Sequence, residues 1–446
     1  MSREFLNNLF YIDTLSQIMM GLVGFVVFVV AVFASRYLKG DSQFKQFYQV
    51  LACLTLAVFI MVSANNIILF LASWVSSNAL LVRLMIYKSN WQAARQSGIL
   101  AAKTFGLGFI SLSLALGLVG LSSGHLTLQE IIHSHHEPLV LNLALVFITL
   151  AAMSQSAIWP FHKWLLSSLN SPTPVSAIMH AGLVNGGGFL LVKFSPMYFS
   201  SPGILTLIFI IGIITAFLGT LWKLMQSDIK RMLACSTLGQ MGFMIAQCGM
   251  GLFPAAVAHL CWHGLFKAYL FLASGSAAQE KRLDLDYPPQ PKQLSLALLC
   301  GIIASYSFML VSDKSLFAGD TTLILIIVAC IAGTQFALPF LKQITVKKLP
   351  ILCVASGITG SIYGLSVHSI EALLIPLNIM RPQPLNMIHI IGIGILTASW
   401  LSIVLARNIQ LMQEMPSWFL KLYVQMFNAS QPHPKTITTH KSQYHT

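Results

Sequence analysis

Three titratable side chains are spaced for proton transfer. His259, His263 and Lys267 fall at i, i+4 and i+8 within an apolar stretch over residues 254–278. On a helix, residues four apart share a face with Cβ atoms about 5–6 Å apart, so the three would form a column. Imidazole titrates near neutral pH, and desolvation makes a lysine release its proton more readily than it does in water. With water between its members, such a column passes protons. A fourth titratable group, His180, lies just inside the apolar stretch that follows Ser171-Pro172-Thr173-Pro174. Two prolines so close start or break a helix. A broken helix at membrane depth is tolerated only where protein or water covers its backbone, and broken helices beside ionisable groups mark transporter sites.

Ionisable groups inside a membrane span cost on the order of 2.5–3.5 kcal/mol, so each one that persists is a functional candidate. Lys103, Lys223 and Lys230 join the candidate proton path on this ground, although Lys230 and Arg231 also read as the start of a helix. Lys193, near a helix end, reads as a snorkelling side chain. Acids are scarce: none stands between Asp41 and Glu130, and Asp228 alone stands between Glu137 and Glu280. The lysines of the interior are therefore expected to lack acidic partners.

Other chemistry is not signalled. The seven cysteines include no CxxC pair, so neither zinc nor an iron–sulfur cluster is indicated. His133, His135 and His136 read as part of a solvated loop, His162 with Lys163 as interfacial, and His433, His440 and His445 as tail residues. There is no Walker loop, and Gly186-Gly187-Gly188 lies in an apolar, helix-like stretch where close packing or a flexible break is the natural reading. No catalytic group, metal site or cofactor is expected, which suits a transporter subunit rather than an enzyme.

The elements that would position these groups follow from composition. Of 446 residues, 56% are hydrophobic and 9% charged, with a mean hydropathy of +0.75, whereas soluble domains carry about 25% charged residues. The long unbroken apolar runs call for helices, which satisfy their own backbone in lipid, and exclude a soluble enzyme. Spans of about 20 residues are predicted over residues 15–35, 48–63, 66–87, 100–121, 138–159, 175–194, 203–225, 231–250, 254–278, 294–311, 321–341, 349–367 and 387–406. The chain is thus expected to be an all-α, multi-pass membrane protein of about 13 helices, placed in the cell inner membrane. The first span is too long for a signal peptide's apolar region. The net charge of +13 is spread between apolar spans, as in cytoplasmic loops, and forms no stripe for nucleic acid. The most polar stretch, 279–292, holds Glu280, Lys281, Arg282, Asp284 and Asp286. The tail from Met415 reads as an interfacial helix with a disordered end. These features divide the chain into N-terminal helices (1–130), a core (131–285), C-terminal helices (286–411) and the tail (412–446).

Three segments carry a family resemblance. Ser156-Ala157-Ile158-Trp159-Pro160-Phe161-His162-Lys163-Trp164-Leu165, followed by Ser171-Pro172-Thr173-Pro174-Val175-Ser176-Ala177-Ile178-Met179-His180-Ala181, closely resembles the signature of the antiporter-like subunits of respiratory complex I. So do the run from Asp228 to Gly242 and the run from Ala258 to Gly275. Together they cover about a quarter of the chain, in the family's order. The superfamily includes Mrp antiporter subunits and the membrane subunit of DAB inorganic carbon pumps. The resemblance implies that His180, His259, His263 and Lys267 belong to a central proton path. It also implies that Pro172 and Pro174 mark a broken-helix, inverted-repeat core.

The departures point to a branch. Complex I subunits carry a glutamate in an early span, where this chain has Leu71-Ala72-Ser73-Trp74-Val75-Ser76-Ser77. They carry a lysine just before the Ser-Ala of the first signature, where this chain has Gln155. The family's Arg and Asp after the lysine matched by Lys103 are absent from residues 104–112. The segments Ser35-Arg36-Tyr37-Leu38-Lys39-Gly40-Asp41 and Ala64-Asn65-Asn66-Ile67-Ile68-Leu69-Phe70 look like the DabB-type subunit, as do Trp74-Val75 and Leu81-Val82-Arg83-Leu84. That likeness implies inward flow of protons or sodium that drives CO2 hydration in a large zinc-containing partner resembling a β-carbonic anhydrase, DabA. Two other readings stay open: a proton-translocating subunit of a complex I or Mrp relative, and a membrane scaffold that anchors a partner without conducting.

Overall fold

The computed structural model describes residues 3–276, 289–341, 349–405 and 416–437. The acidic and basic residues of the stretch 280–286 lie outside these, as do His440 and His445. All regular structure among the described residues is helical, and extended residues form only isolated bridges. The long helices are α1 (Thr14–Tyr37), α2 (Phe44–Ser63), α3 (Ile67–Met85), α4 (Gln92–Ser123), α5 (Pro138–Gln155), α6 (Thr173–Ala181), α7 (Gly186–Lys193), α8 (Pro202–Leu224), α9 (Ile229–Gly249), α10 (Phe253–Leu272), α11 (Pro291–Val311), α12 (Thr322–Leu341), α13 (Leu349–Leu374), α14 (Met387–Leu405) and α15 (Ser417–Ser430).

Among the described residues twelve helical segments, with Thr173–Lys193 taken as one, are long and apolar enough to cross a membrane. The remaining predicted span, 231–250, is α9. Lys230, Arg231, Thr237, Gln240 and Gln247 make it too polar to count by composition, yet Thr237 and Gln247 are fully buried. A polar helix inside a bundle is stable when its polar face meets protein rather than lipid.

The chain forms two compact units. The first comprises residues 1–249, 259–278 and 426–446. Within it, α8 and α9 approach until their backbones touch. A Cβ on Gly242 would stand 2.4 Å from Ala216 N, and one on Gly212 2.4 Å from Ala246 N. Small residues replace the hydrophobic drive that lipid cannot supply between helices. Gly187 serves α7 in the same way, since its Cβ would fall 2.2 Å from Ala152 O of α5. Of the two readings of the glycine triplet, close packing is what this position shows.

The α6–α7 span is interrupted, but not at its prolines. Pro172 caps α6 and Pro174 lies in its first turn, where a missing N–H costs nothing. They start the helix, and the interruption falls at residues 182–185, where a 3₁₀ turn over Leu183–Asn185 separates α6 from α7.

The helices of this unit alternate in direction, which gathers their connections at two ends. Bonds from Asn65 N to Leu9 O (2.8 Å) and Leu128 N to Asn65 O (2.5 Å) join the connections at one end, which carries Asp13, Glu130 and Glu137. The other end, tied by Ser97 Oγ to Ser167 O (2.7 Å), carries Arg36, Lys39, Lys45, Arg83, Lys88 and Arg95 on the first four helices and their connections. Lys163, Lys230 and Arg231 join them there.

Lys193 does not snorkel. Its Nζ meets Asp13 Oδ2 at 2.9 Å, with both side chains about 95% buried (4% and 5% exposed). Asp13 also caps α1, accepting from Ser16 N and Ser16 Oγ at 2.7 Å each. One interior lysine therefore has an acidic partner, drawn from the residue just before the first span.

In the second unit, residues 250–258 and 279–425, α11, α12 and α13 pack around Ala297, Cys300, Ala337, Leu338 and Leu352. A short extended pairing joins Arg381 N to Gly251 O (3.2 Å) and Gln383 N to Met250 O (3.1 Å). Lys314 pairs with Glu371 at 2.8 Å beside a cleft of about 630 Å³. α13 and α14 present exposed leucines and isoleucines, as lipid-facing helices do.

Removing one partner of a buried ion pair leaves an uncompensated charge, at a cost of about 3–5 kcal/mol. Lys193→Met should therefore lower the apparent Tm of the purified protein sharply, and Asp13→Asn, which keeps the cap, should do the same. The double variant should recover part of the loss, as read by thermal scans in detergent.

Candidate functional site

Interrupting a helix frees backbone carbonyls, and in a membrane span each needs a partner. Around the α6–α7 interruption the backbone supplies some of them, Asn185 N to Gly182 O at 3.1 Å and Gly186 N to Leu183 O, and side chains supply others. His263 Nε2 meets His180 O at 3.2 Å, Asn185 Nδ2 donates to Ala181 O at 2.9 Å, Gln155 Nε2 to Leu183 O at 3.2 Å, and Ser156 Oγ to Val184 O at 2.6 Å. The column on α10 is thus tied into the break by His263.

From that point a continuous polar route runs between α6, α9 and α10. His263 Nδ1 stands 2.6 Å from Gln240 Oε1. His180 Nδ1 stands 3.1 Å from Thr237 Oγ1, whose hydroxyl donates to Leu233 O at 3.0 Å. The same carbonyl accepts from Lys267 Nζ at 3.2 Å. The His180 ring stacks on Phe271 with centroids 4.2 Å apart, and the His259 ring lies 6.1 Å from that of His263, near parallel. Lys267 and His180 are fully buried and His263 is 3% exposed.

The neighbours in this route serve either charge state. A neutral His263 donates from Nε2 to the His180 carbonyl and needs a donor at Nδ1, so Gln240 turns its NH2 toward the ring. A protonated His263 needs an acceptor there, which the Gln240 oxygen supplies. A threonine hydroxyl between His180 and the Leu233 carbonyl has the same freedom. Neutral, two-way partners let a proton enter and leave without stranding a buried charge against a fixed opposite one.

Residues 64–295 match the profile described as NADH:quinone oxidoreductase/Mrp antiporter, TM, and residues 6–48 match that of the NADH-ubiquinone oxidoreductase (complex I) chain 5 N-terminus. The chain belongs to the NADH:quinone oxidoreductase/Mrp antiporter membrane family. Within that family it is similar to a probable inorganic carbon transporter subunit DabB1 of Halothiobacillus neapolitanus, 36% identical over 63% of this chain and 52% of the relative. It is likewise similar to a probable inorganic carbon transporter subunit DabB of Bacillus subtilis, 36% identical over 60% of this chain and 54% of the relative. NADH-ubiquinone oxidoreductase chain 5 of Allomyces macrogynus is 32% identical over 60% and 42%. The chain spans about half the length of the carbon-transporter relatives it matches. Its fold is that of a chain in the Mrp complex of Dietzia sp. DQ12-45-1b, with a TM-score of 0.65 at 20% identity, covering 97% of this chain and 54% of that one.

Within this family member the candidates read from the sequence divide. His180, His263 and Lys267 meet in one network, with His259 stacked beside it. Lys267 lies nearer one helix end than its sequence suggests: five residues (272 − 267) before the end of α10, about 7.5 Å. Lys230 stands at the same end, donating to Thr173 Oγ1 at 3.2 Å. Lys223 is exposed on the last turn of α8, yet close enough for its charge to act on Lys267. Lys103 is exposed on α4 and is not brought to the network. Gln155, where the resemblance led to the expectation of a lysine, braces the break. Thr237 and Gln240 were not among the expected site residues, although two polar residues three apart share one face of α9; the part played by the Leu233 carbonyl has no sequence signal. His136 also differs from expectation. It is buried, bonded to Ile131 O (2.9 Å) and Ser122 Oγ (3.1 Å), while His133 and His135 are exposed. Among the described residues no group of His, Cys, Asp and Glu could hold a metal ion.

His162, beside Lys163 at the basic end, is covered by protein. Only 5% exposed, it packs on Trp222 with ring centroids 4.8 Å apart. Burial, and then the charge of Lys163, lowers its pKa from 6.5 to about 4. The unfolded chain binds a proton below about pH 6.5 that the folded protein refuses. Stability from this site is therefore complete above that pH and is lost as pH falls toward 4, by on the order of 2 kcal/mol at about pH 5. His162→Asn should flatten that part of the decline in apparent Tm between about pH 7 and pH 5, measured against the wild type in parallel thermal scans.

Proposed function

We propose that this chain is the membrane subunit of an energy-coupled inorganic carbon transporter. In this reading, ion movement through Lys267, His180, His263 and His259 drives CO2 hydration by a DabA-like, zinc-containing partner. The observation that carries it is the buried route from Lys267 to His263 through Leu233 O, Thr237 and His180, lodged in a helix break. The resemblance to DabB relatives supplies the substrate class. Lys223 and Lys230, at the end of the route nearest Lys267, would tune its entry. Lys103, on the outer face of α4, would act only through a neighbouring subunit.

The chemistry of the route favours protons over sodium. Sodium, a hard cation, needs several oxygen ligands and gains from a carboxylate. This route has imidazoles, one hydroxyl and a buried ammonium that would repel a metal cation. The basic end of the first unit faces the cytoplasm in this reading, because lysine and arginine are retained there, and the membrane is the cell inner membrane. The resemblance to complex I chain 5 supports a second reading, a subunit of a redox or antiporter assembly. Co-purification with a large zinc protein, rather than with many membrane subunits, separates the two.

Lys267→Ala should abolish CO2-dependent growth rescue while the partner still co-purifies. Lys267→Arg should fail as well, because arginine keeps the charge but does not release its proton. Full rescue by Lys267→Ala would leave only the scaffold reading, and full rescue by Lys267→Arg would leave charge without proton transfer. A cysteine introduced as Lys88→Cys should react with a membrane-impermeant thiol reagent only in inside-out vesicles, and one introduced as His135→Cys only in intact cells stripped of their outer layer.

A further inference from the structure

The residues after α15 do not trail away. Within the first unit, 429–436 lies across two connections at the basic end, one between α5 and α6 and one between α8 and α9. Lys163 Nζ donates to Ala429 O at 2.7 Å and to Gln431 O at 2.9 Å. Arg231 Nη1 donates to Gln431 Oε1 at 3.0 Å, and Gln226 Nε2 to Ser430 Oγ at 2.8 Å. Farther along, His433 N donates to Ser167 Oγ at 2.9 Å and Asn170 Nδ2 to Thr436 O at 2.9 Å. Ser430 and Thr436 are 2% and 4% exposed.

The two connections crossed by this segment are the ones that flank the near end of the buried route. Arg231 stands two residues before Leu233, whose carbonyl holds Lys267. Cys235, one turn beyond Arg231, is fully buried yet lies within electrostatic reach of Lys163, Arg231 and Lys267. Cys235 is thus near both Lys267 and the two cations that the segment takes up.

Resting on the conduction reading above, we propose that residues 429–436 form a stopper over the basic-end mouth of the Lys267 route, latched by Lys163. The segment offers backbone carbonyls, the Gln431 side-chain amide, the Ser430 hydroxyl and the His433 N–H, with no ion pair. Six directed hydrogen bonds at roughly 0.5–1.5 kcal/mol each, those from charged donors the stronger, hold it closed without making it permanent. Releasing it exposes Lys163 and Arg231, two cations, at the mouth. These would set the local potential that a proton meets on entry.

Two measurements on the full chain test this. With Cys235 as the sole cysteine, Lys163→Met should raise its rate of labelling by a small water-soluble maleimide at least tenfold. Unchanged labelling in a protein that retains the wild-type Tm would overturn the stopper. Separately, Ser167→Cys with His433→Cys, in a background without the native cysteines, allows the segment to be fixed by a short bis-maleimide. Proton flux in vesicles should fall several-fold on cross-linking. Flux equal to that of the untreated protein would also overturn the proposal. If labelling responds to Lys163→Met but no variant, the wild type included, carries protons, then the conduction reading fails while the segment stands as a seal.

Discussion

A backbone carbonyl in a membrane span must find a donor, and that constraint organises this protein. At the interruption between α6 and α7 the side chains of Gln155, Ser156, Asn185 and His263 each bond a backbone carbonyl. Three of these donors are neutral amides or a hydroxyl. The fourth is a titratable ring that also stands in the column on α10. The charge state of His263 and the geometry of the break are therefore one variable. A protonated ring bonds the His180 carbonyl more strongly than a neutral one, so a proton arriving at His263 tightens the break. Its departure loosens the same bond.

The distribution of carboxylates explains how a charge is tolerated here. The buried acid of this unit, Asp13, is spent on Lys193 and on the cap of α1, well removed in sequence from the column. Lys267 is left with a carbonyl, and the histidines with a threonine, a glutamine and a carbonyl. A fixed carboxylate beside Lys267 would hold its proton, since a close ion pair in low dielectric is worth several kcal/mol. Neutral dipoles solvate both states and trap neither. The same choice accounts for the polarity of α9, which carries Thr237, Gln240 and Gln247 at a cost in apolar character that only a fully packed helix can bear.

Much of this was legible before the structure. Apolar runs placed the spans, and four-residue spacing aligned His259, His263 and Lys267. The motif segments named the family. What failed to show shares a cause: each feature joins residues far apart in the chain. The Asp13–Lys193 pair links the first span to the seventh helix. The prolines at 172 and 174 mark an obvious discontinuity, but the interruption falls at Gly182, where partners on α5 and α10 make it affordable. The buried place of His162 depends on Trp222 and on Ala429. Lys103 shows the converse, because periodicity alone cannot tell a lysine facing the bundle from one facing outward.

Loop charges read in chain order appear mixed, yet sorting them by the alternating direction of the helices shows an excess of cations at one end. Asp13, Glu130 and Glu137 lie at the end where Asp13 begins α1, and most of the lysines and arginines, with Asp41 and Asp228 among them, lie where Lys267 comes within two turns of the surface. In the proposed route, cations above Lys267 would raise the energy of each proton that approaches from that end. Covering Lys163 and Arg231 with carbonyls disperses part of that charge, and uncovering them restores it. In the proposed route, the position of Lys267 close to one end of its helix makes the two barriers unequal, a short one beneath Lys163 and Arg231 and a long one through the break.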